Sequence, residues 1–204
     1  MSSALFSGLR ARLHAPGPVF FAQTMFPDPG ISSILAGCGF DFVMLDAEHG
    51  PFTLQSLRAC VEAFKSTQTP AIVRTASQSE IEIKQALDLG IDGVMVPRIE
   101  SSDQARLAVR AARYAPEGIR GVSRAVRAAC FGRNENYVAS ANAGVAVIAI
   151  IESGQGVENA AEITRVQGLD GIMVGGDDLS ADLGNFGEYN HPQYRDAKIG
   201  RAHV

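Results

Sequence analysis

The chain has 204 residues, 46% of them hydrophobic and 20% charged. That is ordinary globular composition, which excludes collagen and argues against a disordered or coiled-coil chain; the length suits one domain or a large part of one. Eighteen Lys and Arg against 22 Asp and Glu give a net charge of −4 with no basic run, so nucleic acid is a poor partner while small or anionic ligands stay open.

Taken in chain order, the first feature is a stretch with Leu5, Phe6, Leu9 and Leu13 on one helical face. Arg10 and Arg12, with no acidic residue nearby, raise the alternative of a transit peptide, and the start lacks the apolar core of a secretory signal. Short apolar runs then recur at 18–23, 42–47, 71–75, 93–97, 145–152 and 171–175. They are nearly continuous rather than alternating, as in strands covered on both faces. Helical patterns fill most of the intervals, at 53–66, 79–89, 102–113 and 156–165, with Leu54, Leu57, Val61 and Phe64 giving the clearest spacing. Ser102 and Asp103 suit a helix start, and Gly90 suits a helix stop. The stretch 114–144, rich in Gly and Arg at its start, breaks the rhythm and reads as a long, functional loop.

Repeated β–α alternation implies right-handed crossovers and a parallel sheet. Six units favour an α/β fold, a (β/α)8 TIM barrel that is incomplete, with about six of its eight units present. A doubly wound open sheet is the alternative, and without a GxGxxG after the first strand it is not a dinucleotide-binding one. The final KIGRAHV reads as a non-native tail: IGRAHV back-translates to a string resembling sequencing-adapter read-through, with a stop next. The expectation is a partial barrel domain over 1–197, a non-native 198–204, and a native protein that continues further. Such a partial barrel would leave apolar strand edges open and lack independent stability.

Cys38, Cys60 and Cys130 are scattered and outside CxxC spacing, which fits a reducing, cytoplasmic location and no disulfide framework or zinc site. No apolar run reaches the roughly 18 residues of a membrane span.

Barrel chemistry sits at the C-terminal ends of the strands. There the sequence places Asp46-Ala47-Glu48-His49-Gly50, Arg74, Pro97-Arg98, Glu152, and Gly175-Gly176-Asp177-Asp178. Glu152 ends an otherwise apolar run, where an unpaired charge is costly and a cation partner relieves the cost. Glu152 and Asp178, on adjacent strand ends, suit Mg²⁺ or Mn²⁺ with water and substrate oxygens completing the shell. Asp178 also reads as the N-cap of a helix beginning at Leu179. His49 is the one histidine of four at a predicted strand end, against a solvated loop histidine as the bland reading. Arg74 points to the rim, with an ion pair to Asp46 or Glu48 as the alternative role. Asp88, late in a helix, opposes the dipole and calls for a partner off the helix, with His49 as the candidate.

FDFVMLDAEHGP (40–51), AIVR (71–74), LDLGIDGVMVPRIES (87–101), YAPEGIRGVS (114–123), IIESGQGVENAAEI (150–163) and GLDGIMVGGDDLSADLG (168–184), in this order and spacing, resemble the HpcH/HpaI aldolase family. These are metal-dependent class II pyruvate aldolases of the phosphoenolpyruvate/pyruvate barrel superfamily, and the likeness runs from about residue 5 to 197. The resemblance implies Glu152 and Asp178 as metal ligands and His49 as the acid/base. It implies Asp88 as the carboxylate tuning that histidine and Arg74 as stabiliser of the transition state. Asp177, by its backbone N–H, together with Asp178 and position 150, would serve the pyruvate side. Ile150 stands where the family usually has a Gln, and Gly175-Gly176 where it has Gly-Pro.

The implied function is cleavage of a 4-hydroxy-2-oxo acid to pyruvate and an aldehyde through a metal-stabilised enolate, with Mg²⁺, Mn²⁺ or Co²⁺ as cofactor and a homo-oligomer as the assembled form. No strand ends in Lys, and Lys65 and Lys84 fall in helical patterns, so no Schiff-base lysine is expected. A CoA-ester lyase or oxo-acid decarboxylase on the same site, or an inactive truncated scaffold, are the alternatives.

Overall fold

A computed structural model describes residues 8–199. In chain order the elements are α1 (Leu9–Leu13), β1 (Phe21–Thr24), α2 (Pro29–Ala36), β2 (Phe42–Asp46), α3 (Leu54–Ala63), β3 (Ala71–Arg74), α4 (Glu80–Asp88), β4 (Gly93–Val96) and α5 (Ser102–Ala112). They continue with α6 (Tyr137–Gly144), β5 (Ala146–Ile151), α7 (Gly154–Glu158), α8 (Ala160–Ile163), β6 (Gly171–Val174), α9 (Gly176–Asp182) and α10 (Pro192–Ile199). Short 3₁₀ turns occupy Phe64–Ser66 and Arg127–Gly132.

All six strands are parallel and neighbour each other in sequence order, β1 to β6. An order with no reversal has no switch point, which removes the doubly wound alternative. The sheet is the curled wall of an incomplete (β/α)8 barrel. Along each strand the residues alternate between two cores. Val43, Leu45, Val73, Val94, Val96, Val147, Ala149 and Ile151 pack outward against the helices. Phe42, Met44, Ile72, Met95, Ala146, Ile148 and Ile150 fill the inside of the curl. Leu9, on α1, closes the lower end of that inner core and is 1% exposed. Leu5 and Phe6, expected on the same helix, lie outside the described residues.

Several elements depart from expectation for identifiable reasons. The helix α2 adds to the expected helical patterns. Its N-terminus is an Asp cap: Asp28 accepts from the backbone N–H of Gly30 (2.7 Å) and Ile31 (3.0 Å), and Pro29 supplies the helical φ of the first position. The helix expected over 156–165 is two short pieces and begins earlier, at Gly154, capped by Ser153. The long loop expected over 114–144 contains a 3₁₀ turn and α6, around a small core of Tyr114, Ala128, Ala129, Tyr137 and Ala141. Asp178 is not an N-cap. Gly175 takes that place, Leu179 N–H closes the first turn onto Gly175 O (3.1 Å), and Asp177 and Asp178 lie inside the turn, where their charge complements the dipole. The helix α10 runs on through Lys198 and Ile199; 200–204 lie outside the described residues. The three cysteines are free thiols. Among the described residues no helix is long and apolar enough to cross a membrane.

Candidate active site at the strand C-termini

The two-residue period of a strand decides which side chains reach the site. Phe42 and Met44 face inward, so Asp46 does too; Ile72 is followed by Arg74, and Ile150 by Glu152. Three charged side chains therefore stand on the inner rim above a layer of Met44, Ile72, Met95 and Ile150. All three are buried.

Asp46 and Arg74 are Cα partners across the β2–β3 register. Arg74 donates from Nε to Asp46 Oδ1 (2.8 Å) and from Nη2 to Asp46 Oδ2. Gln23, on β1, donates from its amide to the same Oδ2 (2.7 Å), and the backbone N–H groups of Glu48 and His49 donate to Oδ1 (3.2 and 3.3 Å). Burial pushes the Asp46 carboxyl up, but the Arg74 hydrogen bonds and charge and the other donors outweigh it and hold its pKa below the usual range. Burial works against the Arg74 cation, yet Asp46 and Glu48 raise its pKa. This pair is a fixed, charged platform.

The turn beyond Asp46 carries Glu48 and His49. It is sharp enough to require a glycine at 50, where a Cβ would lie 2.4 Å from Asp46 O and 2.7 Å from Met25 O. Glu48 Oε2 sits 3.2 Å from Arg74 Nη1 and 3.7 Å from His49 Nε2. The His49 ring is half exposed and faces the open rim. Burial pushes the Glu48 carboxyl above its ordinary pKa despite Arg74.

Glu152 is held from two sides. Its Oε1 accepts the backbone N–H of Arg98 (2.7 Å). Against its other oxygen stands Gly175, where a Cβ would come within 2.4 Å of Oε2. That Oε2 is buried and accepts no hydrogen bond. Burial raises the Glu152 pKa, and the charges of Glu48 and Asp178 raise it further. A buried carboxylate oxygen without a donor, near two more carboxylates, is costly as an anion, and a bound cation relieves that cost. An all-oxygen donor set suits a hard divalent ion such as Mg²⁺. Among the described residues no group of three or more His, Cys, Asp or Glu side chains converges closely enough to hold a metal by itself, so Glu152 and Asp178 would leave most of the shell to water and ligand oxygens.

Against known proteins, residues 23–202 match the family described as HpcH/HpaI aldolase/citrate lyase. The chain belongs to this family. Among curated HpcH/HpaI relatives, a 5-keto-4-deoxy-D-glucarate aldolase of Escherichia coli K12 is 38% identical over 170 residues, covering 83% of this chain and 66% of the relative. A 4-hydroxy-2-oxo-heptane-1,7-dioate aldolase of Escherichia coli is 38% identical over 167 residues, 81% of this chain and 64% of the relative. The chain thus spans just under two thirds of the length of these relatives. A crystal structure of a family protein from Burkholderia cenocepacia J2315 superposes with a TM-score of 0.92 at 33% identity, covering 96% of this chain and 79% of that one.

Of the residues expected from sequence, His49, Arg74, Glu152 and Asp178 share the rim of the HpcH/HpaI fold. Ile150 is fully buried one layer below Glu152, in the apolar inner core. Asp177 is the second residue of α9, where a helical N–H has no intrahelical acceptor; its carboxylate accepts from Tyr189 Oη. Asp88 does not meet His49 within the chain. It ends α4, which runs from the exit of β3 back to the entrance of β4, so it lies at the opposite end of the sheet. Its partner off the helix is Arg120, whose Nη2 donates to Asp88 Oδ1 (2.7 Å). Asp46 and Glu48, expected at the strand end and as possible ion-pair partners of Arg74, both pair with it. Gln23 was missed. Its inward parity on β1, opposite Met44, is the signal that could have found it.

Proposed function

We propose that this chain carries the catalytic rim of a metal-dependent aldolase that cleaves a 4-hydroxy-2-oxo acid to pyruvate and an aldehyde. The observation that carries the reading is the donorless, buried Glu152 Oε2, on a carboxylate whose pKa the charges of Glu48 and Asp178 help to raise and on the same rim as Arg74 and His49. The names of the two curated relatives support the substrate class. Residues 1–197 would form the aldolase part.

A divalent ion held by Glu152 and Asp178 would supply a Lewis acid toward the 2-oxo acid oxygens. The chain's own residues do the rest. Arg74, pinned by Asp46, offers a fixed positive charge where negative charge develops on the pyruvate half, at no cost of reorganisation. His49 is exposed enough to take the proton from the 4-hydroxyl as the carbon–carbon bond breaks and to return it in the reverse direction. The backbone N–H of Asp177 would hold the pyruvate carboxylate, and Ile150 would leave that side apolar where a polar contact is usual.

The test is a retro-aldol assay with pyruvate detection, with Mg²⁺, Mn²⁺, Co²⁺ or chelator, on a completed barrel carrying this chain and on its Glu152→Ala and Asp178→Ala variants. Activity that needs metal and is lost in both variants is expected. Metal-dependent turnover surviving in either variant would remove that residue from the ligand set.

A further inference from the structure

The exit of β4 is bent in an unusual way. Arg98 has φ +52°, in the left-handed region that a residue with a side chain rarely adopts. The bend is braced on both sides. Gln78 donates its amide to the carbonyls of Pro97 (3.3 Å) and Arg98, and Ile99 N–H returns to Ile150 O on β5 (2.9 Å). At this bend, just beyond the end of β4, the Arg98 N–H donates to Glu152 Oε1 (2.7 Å). Gly175 supplies the space on the other side of the carboxylate. One oxygen is therefore fixed by a donor and the other is kept clear of donors. The Arg98 guanidinium is exposed, with a loose contact to Glu100 at 3.5 Å. Strain held by its surroundings next to a functional carboxylate is the pattern expected of a device that aims a side chain.

We infer that Arg98 is a positioning residue acting through its backbone: its left-handed turn, braced by Gln78, aims Glu152 so that Oε2 faces the cation site. The inference rests on the metal reading of Glu152. The consequence is that the amide at position 98 matters and the guanidinium does not. A residue that tolerates the left-handed region should serve as well as arginine, and a β-branched residue, for which that region is a true outlier, should not.

The experiment is a Mn²⁺ titration of residues 1–204 followed by the free-ion EPR signal, with thermal melting of each variant in parallel. Arg98→Val is expected to bind Mn²⁺ about tenfold or more weakly, the range for losing a hydrogen bond to a charged group. Arg98→Gly is expected to restore the wild-type affinity. A merely structural role would move the melting temperature and leave the affinity alone. If Arg98→Val does not fold, Gln78→Leu carries the same test, with several-fold weaker binding expected. Wild-type affinity in Arg98→Val, or in Gln78→Leu where it stands in, overturns the inference. So does an Arg98→Gly as weak as Arg98→Val, which would hand the role to the guanidinium. Glu152→Ala separates the two layers: unchanged binding there overturns the metal reading and this inference with it, whereas lost binding there with wild-type affinity in Arg98→Val overturns the positioning role alone.

Discussion

Asp46 holds Arg74 from the next strand, taking both Nε and Nη2 of a guanidinium that is itself buried. A planar fork met by a carboxylate in this way fixes orientation as well as charge, which lysine cannot reproduce. Arg74→Lys should therefore keep the fold and lower kcat by tenfold or more. Asp46→Ala should be worse for stability, because it leaves a buried cation with Glu48 as its remaining close partner; about 3–5 kcal/mol is the usual scale for breaking a buried pair. Urea unfolding of both variants, beside steady-state kinetics, checks the split. Equal kcat in wild type and Arg74→Lys would deny the fixed fork a part in catalysis.

His49 and Asp88 now separate. His49→Ala should lower kcat by about 10² or more, the range for a positioned acid/base. Asp88→Asn should lower it less and should instead reduce stability, since its carboxylate meets the fully buried Arg120. The pH profile of kcat/KM discriminates. An unshifted profile in Asp88→Asn is expected, and a displaced limb would show that Asp88 tunes His49 after all.

That separation marks the limit of what the sequence could give. The parallel barrel wall and the strand positions were legible from local pattern, apolar runs for strands covered on both faces, and Asp46, Arg74 and Glu152 from their place at the ends of those runs. The partner of Asp88 was not, because it depends on Arg120, placed by a loop whose path no periodicity encodes. The helix α2 was hidden by turn-like residues that act here as a cap. The bend at Arg98 had no signal in residue type at all, since arginine is not a residue that advertises a left-handed turn.

A pH effect follows from Glu62 and Arg127. The hydrogen bond from Arg127 lowers the Glu62 pKa from 4.5 to about 2, outweighing burial, which raises it, with Lys65 adding to the lowering. A depressed carboxylate pKa stabilises the fold above the unfolded value, and the gain is lost as pH falls from about 4.5 through about 2. Glu62 is partly exposed, so solvent screening limits the gain to no more than about 1 kcal/mol. Glu62→Gln should be slightly less stable than wild type at pH 7 and indistinguishable near pH 2. A stability difference that persists unchanged to pH 2 would show that the packing of the side chain, not its charge, is responsible.

The lower end of the barrel depends on Asp170, just ahead of β6, whose side chain is fully buried. Its Oδ1 takes Arg10 Nε (2.8 Å) and lies 3.0 Å from His14 Nε2, which ties the segment of α1 to the sheet. Its Oδ2 accepts the backbone N–H of Val147 (2.9 Å), while its own N–H returns to Val147 O (2.8 Å). Arg113 Nη2 stands 3.7 Å away, almost wholly buried, and burial with the nearby Arg10 charge depresses its pKa. Asp170 is thus the counter-charge for a cation that the fold otherwise penalises. Asp170→Ala should cost about 3–5 kcal/mol, the scale for leaving a buried charge unpaired. Asp170→Asn, which keeps an acceptor for Val147 but no charge, should cost less. The sharper test is a double-mutant cycle: Arg113→Met in the Asp170→Asn background should cost less than Arg113→Met alone, because the orphaned cation has gone. Strictly additive losses would show that Asp170 stabilises the barrel through Val147, Arg10 and His14, and that Arg113 is balanced by other groups.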